Sequence, residues 1–232
     1  MKNIFDHITK AYFLGIGGIG MSALARYFHQ KGIEVVGYDK TSTPLTDELI
    51  REGIVVSFVD DPNGLPVWLK SDGATSDYIV VYTPAIPIDH KEFNYIKSKG
   101  VRLWKRSEVL GEVTRGVRTI AVAGTHGKTT TSTMIAHLLK HANRNVTAFL
   151  GGIASNYGTN LLVASESENE IMVAEADEYD RSFLTLHPQA AVVTSTDADH
   201  LDIYGDGDSV LESFQLFVSQ IKPGGFFIQK NG

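Results

Sequence analysis

The stretch AYFLGIGGIGMSALARYFHQKGIEVVGYD, residues 11–39, predicts a strand, a glycine turn, a helix and a second strand. The helix is marked by apolar residues at the spacing of one helical face, namely Met21, Leu24, Ala25 and Phe28. Gly32 can end that helix, and residues 33–38 form the next apolar run. A strand–helix–strand unit implies a parallel sheet, so this stretch predicts an α/β fold.

The same alternation continues and then restarts. Further strands are predicted at residues 78–82 and 101–104, with a helix at 89–99 between them. A second set of strands is predicted at 119–123, 146–150, 171–175, 190–194 and 226–229. Two helices in this set are marked by Ile135, Leu138, Leu139 and Ala142, and by Val210, Phe214, Phe217 and Ile221. We therefore predict two α/β domains, residues 1–109 and 110–232, joined by a connection at 105–117.

Composition narrows the function classes before any motif is considered. The chain has 232 residues, 43% of them hydrophobic, and no cysteine, which excludes disorder, disulfide scaffolds, thiolate metal sites and a cysteine nucleophile. No apolar run reaches the roughly 18 residues that span a bilayer, and the start of the chain lacks the apolar region of a secretory signal. We expect a cytoplasmic protein without a membrane partner. The net charge of -6 argues against a nucleic-acid partner.

The first glycine loop satisfies the pattern G-x-G-x-x-G between a strand and a helix. It comprises Gly15, Gly17, Gly18, Ile19 and Gly20, and Asp39 stands 19 residues after Gly20. Such glycines let the backbone approach a pyrophosphate at a helix N-terminus, and an acidic residue at that distance can bind a ribose. The pattern specifies a diphosphate next to a sugar, which both NAD and a UDP-sugar provide.

The second glycine loop comprises Gly124, Thr125, His126, Gly127, Lys128, Thr129 and Thr130. Backbone amides in such a loop cradle phosphate oxygens, the lysine meets the β- and γ-phosphates, and the next hydroxyl ligates Mg²⁺. The loop is shorter than the usual phosphate loop, because Val122 stands where the first glycine is expected. This pattern predicts an ATP site. It also predicts that Lys128→Ala costs little stability, because a loop side chain packs against little.

Acidic side chains are concentrated after the predicted strands of the second domain. Residues 166–212 contain 13 carboxylates and one arginine, a density typical of either a solvated face or a cation site. Glu175 and Asp177 follow one strand, and His200 lies between Asp199 and Asp202 after another. Because strand ends converge on the ligand crevice of a parallel sheet, these residues predict a magnesium site beside the phosphate loop.

Four motifs in this order resemble the Mur ligase family: GIGGIGMSALA at 15–25, AGTHGKTTTSTM at 123–134, EADEYDRSFL at 175–184 and DADHLD at 197–202. The resemblance implies a Rossmann-like domain for the UDP portion of a sugar nucleotide, followed by a P-loop-type α/β domain for ATP. It implies an ATP-dependent ligase of peptidoglycan precursor synthesis. In that reaction the lactyl carboxylate of UDP-N-acetylmuramate is phosphorylated, and the amine of L-alanine then displaces phosphate.

Site residues follow from the resemblance by position. In the first domain it places the diphosphate at Gly17, Gly18, Ile19 and Gly20, the uridine near Asp39, and the cleft border at Thr83 and Ala85. In the second it assigns catalysis to Lys128, Glu175 and His200, with Lys128 on the β- and γ-phosphates. Thr129 is implied as a ligand of one Mg²⁺, Glu175 and His200 of another, and His126 lies towards the substrate. Ser195 stands where the family usually has asparagine.

Three other functions remain open at this point. A recycling ligase that adds a tripeptide to the same sugar nucleotide shares the EADEYD motif, and an NAD-dependent oxidoreductase would explain the first glycine loop alone. A nucleotide-gated binding module would use the phosphate loop without forming a bond. The resemblance further implies that the chain ends inside the ATP domain, so we expect binding of the UDP-sugar without turnover.

Overall fold

The computed structural model describes residues 4–71, 77–165, 168–197 and 207–229. It divides into two compact units, Ile4–Val109 and a second unit that begins at Leu110. Within the described ranges, no helix combines the length and the apolar character that crossing a bilayer requires.

The described residues of the first unit up to Lys105 form five strands and four α-helices. The strands are β1 (Lys10–Leu14), β2 (Glu34–Tyr38), β3 (Val55–Ser57), β4 (Tyr78–Tyr82) and β5 (Leu103–Lys105), and the helices are α1 (Ile19–Gln30), α2 (Pro44–Arg51), α3 (Val67–Lys70) and α4 (Lys91–Ser98). All strand pairs are parallel, in the order β3-β2-β1-β4-β5. The predicted α/β fold is confirmed. The strand order reverses between β1 and β4, which is where sheets of this kind leave a ligand crevice.

The second unit follows helix α5 (Arg106–Arg115), which crosses the boundary between the units. Its strands are β6 (Arg118–Ala123), β7 (Val146–Ala154), β8 (Thr159–Leu162), β9 (Ile171–Glu175), β10 (Ala190–Val193) and β11 (Phe226–Gln229). Its other helices are α6 (Lys128–His141), a 3-10 helix at Tyr179–Thr185 and α7 (Gly207–Ser219). The sheet order is β11-β10-β6-β9-β7-β8, parallel except for the antiparallel pair β7–β8.

One local prediction was wrong, the placement of Leu138 on the buried face of α6, and two features were not predicted. The connection at residues 105–117 contains helix α5, because Val109 and Val113 give it a buried face. On α6, Leu138 is 65% exposed, and the fully buried positions are the short side chains Ser132 and Ala136, which let the helix lie close to the sheet. The hairpin formed by β7 and β8 was not predicted, since its pairing depends on the sheet edge rather than on local pattern.

Candidate functional site

The glycine loop of the first unit lies at the reversal of strand order. Gly15 has a φ of +84° and, with Ile16, donates a backbone hydrogen bond to the Tyr38 carbonyl at 2.8 and 2.9 Å. A Cβ on Gly15 would stand 2.5 Å from Thr83 Cγ2. Thr83, after β4, therefore lies directly against the loop after β1. Ala85 is exposed two residues further on.

The Asp39 side chain accepts hydrogen bonds from backbone amides of this loop and of the segment that follows β2. Its Oδ2 accepts a hydrogen bond from the Gly17 amide at 2.7 Å, and its Oδ1 accepts one from the Thr41 amide at 3.3 Å. A Cβ on Gly17 would stand 2.8 Å from Oδ2, so only glycine allows this approach. Gly18 is exposed and directly precedes α1, whose N-terminus has no side-chain cap, which leaves the positive end of the helix facing outward.

Arg106 is a basic residue at this loop that sequence reasoning missed. A Cβ on Gly20 would stand 2.7 Å from its Nη1, so the guanidinium lies against the first turn of α1, which begins at Ile19. The sequence offered no signal for this contact, because Arg106 falls in the segment read as a connection and is 86 residues from Gly20. The arrangement brings a fixed positive charge to the site predicted for a diphosphate.

The phosphate loop of the second unit is hydrogen-bonded to the segment after β10. The amides of Thr125 and His126 donate hydrogen bonds to the Ser195 carbonyl and to Ser195 Oγ, at 3.1 and 3.0 Å. Thr125 Oγ1 donates to the Asp197 carbonyl at 2.8 Å. A Cβ on Gly124 would stand 2.2 Å from Thr194 Oγ1. Ser195 thus makes a specific contact even though the family usually has asparagine at this position.

The next residues form the N-terminus of α6. Gly127, with a φ of +84°, directly precedes this helix, and the first-turn amides from Lys128 to Thr130 have no acceptor within a helix. Such amides form the usual binding site for phosphate oxygens. Of the seven residues predicted for ATP, residues 124–126 are therefore bonded to the segment after β10. Residues 127–130 form the part available to phosphate, which we call the phosphate cradle. His126 is exposed, and its Nε2 lies 4.0 Å from Asp197 Oδ2, a distance typical of a weak surface pair.

Glu175 lies beside the cradle at the end of β9. Its Oε1 accepts a hydrogen bond from Thr129 Oγ1 at 3.1 Å, and its Oε2 accepts one from the Gly151 amide at 2.9 Å. A Cβ on Gly151 would stand 2.2 Å from the carboxylate, so this glycine makes room for it. Burial raises the pKa of Glu175, while these two hydrogen bonds and the charge of Lys128 oppose the rise. A hydroxyl and a carboxylate in contact at a phosphate cradle fit a magnesium ion.

Of the two other predicted ligands, the structure describes one. His200 lies outside the described residues. Asp177 is described, and its Oδ1 accepts a hydrogen bond from the Tyr179 amide at 3.1 Å at the start of the 3-10 helix. Of the three residues predicted to carry catalysis, the structure therefore brings Lys128 and Glu175 to the phosphate loop.

A buried polar cluster in the first unit was not predicted. Asp60, His90 and Glu92 have potential ligand atoms within 4.8 Å of one another. Asp60 accepts hydrogen bonds from the amides of Lys91 and Glu92, both at 2.9 Å, and His90 Nδ1 accepts one from the Phe93 amide at 3.2 Å. We therefore interpret Asp60 and His90 as the cap of α4, while Glu92 Oε2 accepts a hydrogen bond from the Tyr12 hydroxyl at 2.6 Å.

Two family models match the chain. The Mur ligase family catalytic domain matches residues 10–118, and the Mur ligase middle domain matches residues 122–231. The chain belongs to the Mur ligase family. The resemblance carried by the four sequence motifs is thereby confirmed. The two matched regions contain the two glycine loops, one in each.

Mur ligases of known name are close relatives. The UDP-N-acetylmuramate--L-alanine ligase of Porphyromonas gingivalis is 54% identical over 225 residues, which is 97% of this chain and 48% of the relative. The ligase of the same name from Christiangramia forsetii is 49% identical over 232 residues, covering 100% of this chain and 50% of the relative. The chain therefore spans about half the length of the curated relatives it matches.

Solved Mur ligase structures share the fold. UDP-N-acetylmuramate-alanine ligase from Thermotoga maritima has a TM-score of 0.82 at 28% identity, covering 95% of this chain and 48% of that one. UDP-N-acetylmuramate:L-alanyl-gamma-D-glutamyl-meso-diaminopimelate ligase from Neisseria meningitides has a TM-score of 0.85 at 28% identity, covering 97% and 72%. The fold is common to both, so it does not separate the two ligases.

Proposed function

We propose that this chain supplies the sugar-nucleotide and ATP sites of an ATP-dependent ligase that joins L-alanine to the lactyl carboxylate of UDP-N-acetylmuramate, in peptidoglycan precursor synthesis. The observation that carries the proposal is the contact of Thr129 with Glu175 beside Lys128, at the open end of α6. This set suits phosphoryl transfer, which needs charge neutralisation and alignment rather than a protein nucleophile. The names of the relatives support the choice of substrates.

In this proposal each group of site residues has its own binding role. The first-turn amides of α6 bind phosphate oxygens, and the Lys128 ammonium meets the β- and γ-phosphates. Thr129 and Glu175, with His200, would hold Mg²⁺, which when bound neutralises charge on the transferred phosphoryl group. The first glycine loop, Asp39 and the Thr83–Ala85 border would hold the UDP portion. The cytoplasm remains the predicted location.

Two alternatives are less supported. The oxidoreductase reading explains only the first glycine loop, whereas both family models are of Mur ligases. The tripeptide-adding ligase shares the fold, while the named relatives at 49–54% identity favour L-alanine. Phosphate release with ATP and UDP-N-acetylmuramate separates these two ligases when it is measured on a full-length ligase that carries this chain, once with L-alanine and once with the tripeptide as the amine.

Calorimetry on the 232-residue chain tests the binding sites. We expect saturable binding of UDP-N-acetylmuramate to the first unit and of inorganic tripolyphosphate with Mg²⁺ to the second, and no binding of NADH. Tight NADH binding would refute the sugar-nucleotide site, and failure to bind tripolyphosphate would refute the ATP site.

One matched pair of variants tests the first loop directly. A Cβ on Gly18 has its nearest neighbour at 3.7 Å and a Cβ on Gly64 has none within 4 Å, so both positions accept a side chain in this structure. We expect Gly18→Leu to keep the melting temperature and to weaken UDP-sugar binding at least about tenfold, about 1.4 kcal/mol, because the side chain occupies the approach of the diphosphate. Gly64→Leu should leave both quantities unchanged. UDP-sugar affinity that survives Gly18→Leu would contradict the assignment of this loop.

A further inference from the structure

The segment after β9 places a second carboxylate at the phosphate loop. Glu178 Oε1 lies 2.8 Å from Lys128 Nζ, and the two side chains are 4% and 16% exposed. Glu178 lies three residues after Glu175, which contacts Thr129. The end of β9 and the segment after it therefore contact two adjacent residues of the phosphate loop, Thr129 through its hydroxyl and Lys128 through its ammonium.

The contacts of Lys128 determine which of its protons can serve a ligand. An ammonium has three N–H donors. Two of them have short acceptors, the Gly124 carbonyl at 2.8 Å and Glu178 Oε1 at 2.8 Å, and the Thr125 carbonyl lies further away at 3.4 Å. The two short bonds fix Nζ over the loop. The third donor, whose present bond is weak, is the one that can turn to a phosphate oxygen.

Glu178 sits on a rigid support. Its carbonyl accepts a hydrogen bond from the Arg181 amide at 3.0 Å, and the preceding carbonyl, of Asp177, accepts one from the Phe183 amide at 2.9 Å. The Phe183 ring is buried, with ring centroids 5.4 and 5.1 Å from those of Phe214 and Phe217. Because the buried Glu178 carboxylate cannot move into solvent, its ion pair with Lys128 keeps the lysine side chain turned toward the protein.

We propose that Glu178 is a positioning residue for Lys128. It keeps the ammonium over the phosphate loop before nucleotide arrives, so that the rotamer freedom of a long side chain is lost on folding rather than on binding. The proposal rests on the ATP site proposed above. It assigns Glu178 no contact with the nucleotide and no role as a magnesium ligand.

The test measures the affinity of the 232-residue chain for inorganic tripolyphosphate with Mg²⁺, in wild type and in Glu178 variants. We expect Glu178→Ala to weaken binding about tenfold, since Lys128 is released into many rotamers. Glu178→Gln keeps an acceptor oxygen for Nζ, and its affinity should stay within about threefold of wild type. In a Lys128→Met background, Glu178→Ala should cause no further loss, because no ammonium remains to be positioned.

The outcomes separate this proposal from the function it rests on. Wild type that fails to bind tripolyphosphate overturns the ATP site and this proposal together. Wild type that binds, with Glu178→Ala equally tight or tighter, overturns the positioning role alone. An equal loss from Glu178→Ala in the wild-type and Lys128→Met backgrounds would show a structural effect and also overturn it. If Glu178→Ala does not fold, Glu178→Asp serves instead, because its carboxylate is withdrawn by one methylene, and wild-type affinity in that variant overturns the proposal.

Discussion

Replacing Glu92 by glutamine should change how the stability of the first unit depends on pH. Glu92 is 1% exposed in the first turn of α4, and its Oε2 accepts a hydrogen bond from the Tyr12 hydroxyl at 2.6 Å. Burial, with a smaller contribution from the charge of Asp60, raises the pKa of Glu92 from 4.5 to about 7. The hydrogen bond from Tyr12 opposes this rise but does not cancel it.

The sign and size follow from proton linkage. Between pH 4.5 and 7, Glu92 keeps its proton in the folded state and loses it in the unfolded state. Stability from this group is therefore fully present below pH 4.5 and is lost as pH rises to about 7, at about 1.4 kcal/mol per pH unit. Over the whole interval the loss is about 3 kcal/mol. Glu92→Gln carries no such proton, so it should equal wild type at pH 4 and exceed its stability by up to about 3 kcal/mol at pH 8.

Urea unfolding followed by tryptophan fluorescence measures this difference. Trp68 and Trp104 are the two tryptophans of the chain, and both lie in the first unit, so the signal reports on that unit. The exposed residue Glu34, which accepts a hydrogen bond from Trp68, provides a control, since Glu34→Gln should not reproduce the gain in stability of Glu92→Gln at pH 8. A Glu92→Gln variant that is less stable than wild type at pH 8, or whose difference is independent of pH, would refute this reasoning.

Two further predictions concern the phosphate loop. Lys128→Met should destabilise the second unit by about 2–4 kcal/mol, because the buried Glu178 carboxylate loses the ammonium that pairs with it, and Glu178→Gln in the same chain should recover most of that loss in a urea titration. This differs from the expectation from sequence that Lys128→Ala costs little stability, and a loss below about 0.5 kcal/mol would favour that expectation. Gly151→Ala should abolish the magnesium dependence of tripolyphosphate binding, because its Cβ would stand 2.2 Å from the Glu175 carboxylate. Gly64→Ala, whose Cβ would have no neighbour within 4 Å, should retain that dependence, and equal behaviour of the two variants would contradict the site.

Local pattern was sufficient where one element contained its own signal. The run of β4 and the stripe of α1 were predicted from period alone, and β9 was predicted with its observed bounds, Ile171–Glu175. The glycine loops were predicted from the spacing of their motifs, and the positive φ values at Gly15 and Gly127 explain why glycine stands at these positions. These features depend on neighbours in the chain, which a sequence displays directly.

Contacts between residues on different strands could not be predicted from local sequence pattern. Glu178 was read as part of an acidic motif, and its pairing with Lys128 appears only when β9 is placed beside β6. Gly151 was not considered, because its role is to make room for a carboxylate 24 residues away. Such pairings depend on strand order, which periodicity alone does not specify.

The parallel pairing of β6 with β9 has a practical consequence for protein engineering. Val122 and Glu175 are opposite each other in that pairing. The distance between the phosphate loop and Glu175 is therefore determined by inter-strand hydrogen bonds rather than by the 52 residues between Val122 and Glu175. The hairpin of β7 and β8 lies in those intervening residues, and β8 is the last strand at that side of the sheet. A reporter peptide inserted in its turn, at Ser155 and Asn156, would lengthen the chain without shifting the phosphate loop relative to its acidic partner.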